Sequence, residues 1–155
     1  ISSDSINFGA FTRLGTNKTP SYDCAATEDK FTVDTSTGNG KLTYPIALMT
    51  ADEVSFAGGL YGTNAPTWYY YNSANGSSTG STFWWLLSPL EWDNSYAYVF
   101  NVNSLSDSFG KLNGSTTGLT DNVRPVLSLK SCVKTSGGDG SAEKPYTILE
   151  TSSGC

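Results

Sequence analysis

Two places in this chain gather side chains able to do chemistry. Asp52 and Glu53 stand together just after Thr50, and Glu91-Trp92-Asp93-Asn94-Ser95 sets two carboxylates and an amide around an indole. Histidine is absent, which excludes His-based metal sites and the usual Ser–His or Cys–His nucleophile pairs. Any general acid or base would therefore be a carboxylate. At Thr50 to Glu53 the spacing is that of a capping box: the Thr hydroxyl accepts the backbone N–H at Glu53, and the Glu carboxylate accepts the N–H at Thr50. Acids at the positive end of a helix dipole are stabilising there in any case, so this pair is expected to start a helix rather than to catalyse. Glu91 to Ser95 is left as the leading site, a polar loop expected to expose Trp92.

Phe83 to Asn103 is the stretch that must hold that loop in place, and it carries three of the four tryptophans. Phe83 to Leu87 is a short apolar aromatic run ended by Ser88-Pro89, which reads as a buried strand. From Tyr96 the pattern is two-fold, with Tyr96, Tyr98, Phe100 and Val102 on one face and Ala97, Val99, Asn101 and Asn103 on the other. Behind the capping box, Val54, Phe56, Ala57 and Leu60 are expected to cover one face of a helix of about two turns, stopped by Gly58-Gly59. Leu42 to Met49 reads as an edge or bent strand because of Pro45. Phe8 to Leu14 alternates like an edge strand, and Phe31 to Val33 is a brief β signal before a turn over Thr35 to Gly40.

Tyr61 to Ser81 is a long, weakly charged loop, and loops of that length are usually functional or mobile. Its aromatic quartet, Trp68-Tyr69-Tyr70-Tyr71, is expected to bury two rings and leave the others at the surface. Phe109 and Leu112 are expected to tuck in near Gly110. Val123 to Lys130 reads as a strand in which Arg124 ties down a loop through carboxylate or carbonyl contacts. Ser136 to Ser141 is a tight turn, and Pro145 to Leu149 a closing strand.

With 155 residues, only 15% of them charged and 13% aromatic, the chain fits one domain, residues 1–155, in which 1–40 is the least regular part and 150–155 a frayed tail. Small polar residues carry its solubility, a composition suited to a loop-rich β protein outside the cell. The net charge of −5 and the lack of a Lys/Arg cluster argue against nucleic acid or an anionic membrane as partner. No apolar run is long enough to span a membrane, so no direct membrane insertion by this segment is expected. Ile1 in place of Met suggests a processed or excised piece. Cys24, Cys132 and Cys155 show no metal or redox spacing; they allow one bridge, with Cys24–Cys132 preferred, and equally allow three free thiols.

Read in order, Tyr44 to Gly59, Trp84 to Pro89, Tyr96 to Phe100, Val123 to Lys130 and Gly138 to Tyr146 resemble a largely uncharacterised family of bacterial and phage surface domains, over roughly residues 40 to 148. That family is similar to the C-type-lectin-like fold, also used by the variable proteins of diversity-generating retroelements. The resemblance implies an α+β fold, mostly antiparallel β with one or two short helices and long loops, whose polar and aromatic loop positions form a binding face. Trp92-Asp93-Asn94 differs in order from the Trp-Asn-Asp of calcium-dependent sugar-binding lectins, and no Glu-Pro-Asn loop accompanies it. Calcium takes about six to eight oxygens, and Glu91, Asp93, Asn94, Asn101, Asn103 and Asp107 are the donors near in sequence. Neither a metal nor another cofactor is assigned to them. The formylglycine-generating enzymes, which share the lectin-like fold, rely on a close pair of active-site cysteines, and Cys24 and Cys132 have no matching context here.

The expected function is an extracellular or cell-surface recognition domain for adhesion or reception, not an enzyme, with a protein or glycan ligand on another cell or surface. The expected ligand-binding residues are Glu91, Trp92, Asp93, Asn94, Ser95, Asn101, Asn103, Ser106, Asp107, Phe109, Trp68 and Tyr70. Tyr and Trp offer large contact area at low entropic cost, and Ser, Asn and Gly adaptable hydrogen bonds. The alternative is a structural pilin-like or spacer subunit of a surface filament or adhesin.

Overall fold

A computed structural model of the chain describes residues 5–23, 36, 43–44, 46–72, 83–105, 107–127, 129, 131–141 and 143–149. The architecture is mostly antiparallel β with few short helices, an α+β arrangement. A four-stranded sheet dominates it, in the order β1 (Ile6–Asn7), β3 (Trp84–Trp92), β4 (Ala97–Asn103) and β5 (Lys111–Thr116). Two small antiparallel pairs accompany it, β2 (Ala47–Leu48) with β6 (Pro125–Val126) and β7 (Thr135–Gly137) with β8 (Thr147–Ile148). Among the described residues no helix is long and apolar enough to cross a membrane.

The stretch around the tryptophans forms a hairpin, but its first strand is longer than Phe83 to Leu87. β3 runs through Ser88-Pro89 and on to Trp92, with alternate residues Trp84, Leu86, Ser88 and Leu90 buried. Proline cannot donate to a ladder. Pro89 is accommodated because the β3–β4 pairing shifts register on both sides of it, between Trp85 and Pro89 and again between Pro89 and Glu91. Such bulges leave residues unpaired and bend the strand. β4 does not alternate in burial as expected: Tyr96 and Ala97 are exposed, Tyr98 and Val99 are both half-buried, and Phe100 to Asn103 are buried on both faces. Full burial of the Phe100 ring stabilises by about 2–3 kcal/mol relative to leaving it in water.

Phe8 to Leu14 is not a strand. After β1 the chain turns into α1 (Gly9–Phe11) and a π-helical continuation, Thr12–Asn17. Helical spacing puts Ala10 and Leu14 on one face, and both are buried in the core. A second helix, α2 (Ala51–Phe56), begins with the capping box as expected: Thr50 Oγ1 accepts from Glu53 N at 3.2 Å, and Glu53 Oε2 accepts from Thr50 N at 2.7 Å. Buried Ser88 Oγ accepts a further free N–H of that helix start, from Ala51, at 3.0 Å.

The apolar face of α2 differs from expectation. Ala51 and Val54 go into the core, whereas Phe56 is 50% exposed and Leu60 is also exposed. Residues two apart lie on opposite sides of a helix, so a two-turn helix that buries Val54 must turn Phe56 outward. Val123 to Lys130 is likewise not a full strand among the described residues: of these only Pro125–Val126 pairs, with β2, and Val123, Leu127 and Leu129 are exposed. The closing pair β7–β8 encloses the turn at Gly138 to Ser141, where Asp139 N donates to Lys144 O. The β signal at Phe31 to Val33, most of the Thr35 to Gly40 turn, Leu42, Pro45, residues 73–82 and the tail from Glu150 lie outside the described residues.

Candidate functional site

The tip of the β3–β4 hairpin is a tight turn and not an open loop. Asn94 has φ 77°, a left-handed conformation that Asn tolerates better than most residues. Asp93 Oδ1 accepts from Ser95 N (3.0 Å) and Tyr96 N (2.8 Å), while its Oδ2 accepts from Tyr98 Oη (3.0 Å). The backbone N–H of Tyr96 and that of Ser95 hold the Asp93 carboxyl below its usual value, and the bond to Asp93 pushes the Tyr98 phenol up. Trp92 lies on the strand, paired with Ile6 and Ala97, and is half-buried with its indole N–H covered. Glu91, paired with Asn7 and Tyr98, lies close enough to Tyr61 to add to the upward shift that burial gives that phenol.

The remaining expected residues lie elsewhere. Asn101 is fully buried, and its amide donates to Ser115 Oγ at 2.7 Å and Asp121 Oδ2 at 3.2 Å. Asn103 is buried too, with Oδ1 accepting from Leu105 N at 2.8 Å. Ser106 lies outside the described residues. Asp107 and Phe109 belong to the β4–β5 turn, where their carbonyls accept from Asn64 Nδ2 (2.8 Å) and Ala65 N (2.8 Å). The β4 strand of seven residues separates that turn from the hairpin tip by roughly 20 Å. The structure therefore does not unite Glu91 to Ser95 with Asp107 and Phe109. It does bring the latter to the segment that carries Trp68 and Tyr70.

That segment divides as expected: Trp68 and Tyr71 are buried, Tyr70 is half-buried, and Tyr69 is 70% exposed. A turn closed by Trp68 N–Tyr71 O and Tyr71 N–Trp68 O holds the quartet. Trp68 Nε1 donates to Gly110 O at 3.0 Å, and Trp68, Tyr71 and Trp84 stack in a column with centroid spacings of 6.2 and 5.9 Å. Arg124 caps this column, its guanidinium 4.4 Å from the Trp84 ring centroid, while Nη1 donates to Tyr70 O at 3.4 Å. This is the carbonyl contact expected of Arg124, with a cation–π contact added.

Against this anchored turn opens a cleft of about 370 Å³ lined by Tyr22, Glu53, Phe56, Ala57, Tyr69 and Tyr70. Its volume lies in the range of small-ligand sites. Three pieces of chain meet there, each fixed from behind. Glu53 and Phe56 form the outward stripe of α2 at i, i+3 spacing, and Ala57, its C-cap, follows at i+4 and packs partly against the core. Tyr22 is placed by Asp52, only 3% exposed, whose carboxylate accepts Arg13 Nε (2.9 Å) and Nη2 (2.8 Å) and also Ser21 N (2.8 Å). Tyr69 is tied to the helix end by its N–H, which donates to Ala57 O at 3.2 Å.

The rings form two pairs. Tyr22 stacks on Phe56 at 4.3 Å and 16°, and Tyr69 meets Tyr70 edge-to-face at 4.8 Å and 84°. Burial first, then Tyr69, Glu53 and Tyr22, raise the Tyr70 phenol above its ordinary value. Of the expected site residues that are described, only Tyr70 lines the cleft, with Trp68 packed edge-on against it. Phe56 and Glu53 could have been found from the outward stripe of α2, whereas Tyr22 carries no local signal; the Arg13–Asp52 pair that places it spans 39 positions.

No protein-family model, curated protein or solved structure matches this chain. Among the described residues no group of three or more Cys, Asp or Glu is arranged to hold a metal ion.

Proposed function

We propose that this chain is an extracellular ligand-recognition domain on a C-type-lectin-like scaffold, taking its ligand in the Tyr22–Tyr70 cleft and not at the hairpin tip. The single observation that carries the reading is the cleft itself: four aromatic rings and one carboxylate, contributed by three segments each pinned to the core. Rigid aromatics held by a frame are the economical way to build a binding face. The antiparallel sheet with few short helices suits the scaffold, and the disulfide at Cys132 suits an oxidising compartment.

Binding without turnover is the expected behaviour: the carboxylates of Asp52, Asp93 and the cleft's Glu53 each accept hydrogen bonds from structural donors. A screen of glycans and proteins should return ligands for the native chain that the Tyr22→Ala/Tyr69→Ala variant no longer binds. Unchanged binding by the double variant would sink this reading. The structural alternative draws on one observation, the exposed Val123, Leu127, Leu129, Tyr146, Ile148 and Leu149 of the last third of the chain, which suits burial against another subunit. Size-exclusion chromatography separates the two, since a filament subunit self-associates and a recognition domain elutes as a monomer.

A further inference from the structure

The chemistry of the cleft is one-sided. Among the described residues it is lined by four aromatic rings and a single full charge, which is negative, and by neither Lys nor Arg. Glu53 uses Oε2 for the capping box, and among the described residues Oε1 accepts no hydrogen bond. The Tyr22–Phe56 stack covers one face of each ring and leaves the other, and Tyr22 is 70% exposed, so that outer face is open. Resting on the recognition reading above, we infer that the cleft binds a quaternary ammonium group, seated on an outer face of the Tyr22–Phe56 stack beside Tyr69 and Tyr70, with Glu53 as counter-charge.

The ring quadrupole attracts a cation over its face, and aromatic cages with one acid are a recurrent solution for methylated ammonium. A primary ammonium fits less well, because its three N–H donors each need an acceptor when desolvated, and the cleft offers one free carboxylate oxygen. A trimethylated nitrogen has no donor to leave unpaired and is weakly hydrated. An anion is repelled by Glu53, whose field already reaches the Tyr70 phenol. A neutral sugar could stack on the same rings but would gain nothing from the charge.

Calorimetric titration of the full chain with choline chloride, and with its neutral carbon isostere 3,3-dimethylbutan-1-ol, tests the inference. Choline is expected to saturate the chain, and the isostere to bind about tenfold more weakly, since only the charge differs. Glu53→Gln keeps a side-chain oxygen for the Thr50 N–H and is expected to weaken choline about tenfold, with only the small loss of melting temperature that removing one charge from a helix start brings. Should Glu53→Gln fold poorly, Tyr69→Ala at an exposed position decides in its place, with a loss of similar size. Equal affinity for choline and its isostere, absence of saturation, or indifference to both variants would overturn the inference. A glycan or protein ligand lost with Tyr22→Ala/Tyr69→Ala while choline fails to bind would overturn this inference alone; a ligand retained by that variant removes the recognition reading as well.

Discussion

At the scale of single residues, the acids of this chain are mostly engaged in construction. Asp52 is buried and receives Arg13 in a two-pronged pair plus the Ser21 N–H. Removing one partner of a buried pair leaves the other uncompensated. Arg13→Ala is therefore expected to cost about 3 kcal/mol in urea unfolding and to loosen Tyr22, whereas loss of an exposed ion pair would cost well under 1 kcal/mol. Asp93 is exposed, and its effect is read through pH. Its folded pKa lies below the ordinary 3.8, so its contribution is complete above that value and is lost as pH falls through the folded value. Asp93→Asn should then narrow its stability gap to the native chain as pH drops below about 4, measured as melting temperature against pH. A gap that does not change with pH would mean that the charge of Asp93 does not hold the turn.

At the scale of elements, what the sequence made legible was what is local. The capping box at Thr50 to Glu53 could be read because both halves lie within one turn of helix. The burial of two rings in Trp68 to Tyr71, and the carbonyl tie of Arg124, were legible from side-chain character. The end of β3 was not. Ser88-Pro89 is a stop signal by local chemistry, and only pairing with β4 through two register shifts, together with the Ser88–Ala51 contact, carries the strand past it. Phe8 to Leu14 failed similarly, since alternation and helical spacing coincide at Ala10 and Leu14.

The β4–β5 turn has its own test. Gly110 has φ 61°, and a Cβ there would run into the Ala65 carbonyl oxygen and stand 2.7 Å from Trp68 Nε1. Gly110→Ala should destabilise by about 2 kcal/mol or more, combining positive-φ strain with an imposed clash. Chemical denaturation with a change below 0.5 kcal/mol, the usual scatter for surface substitutions, would show that the turn relaxes freely.

At the scale of the molecule, the sheet acts as a spacer with two different ends. One end carries the Asp93 turn, the other the Asp107–Phe109 turn and the aromatic segment backed by Trp68, Tyr71 and Trp84. The residues expected to make one binding face are thus divided between the two ends of the sheet, with Asn101 and Asn103 buried in β4 between them, and the cleft draws instead on Tyr22, Glu53 and Phe56 from separate segments. Topology made that assembly: α2 turns outward the stripe that the core does not need, and the Arg13–Asp52 pair lays Tyr22 over it. The most direct test is a hydrogen-exchange footprint of the native chain with a ligand recovered from the binding screen. Added protection is expected over Ser21–Asp23, Glu53–Gly58 and Trp68–Asn72, with the hairpin tip Glu91–Tyr96 unchanged. Protection confined to Glu91–Tyr96 would contradict a cleft-centred function.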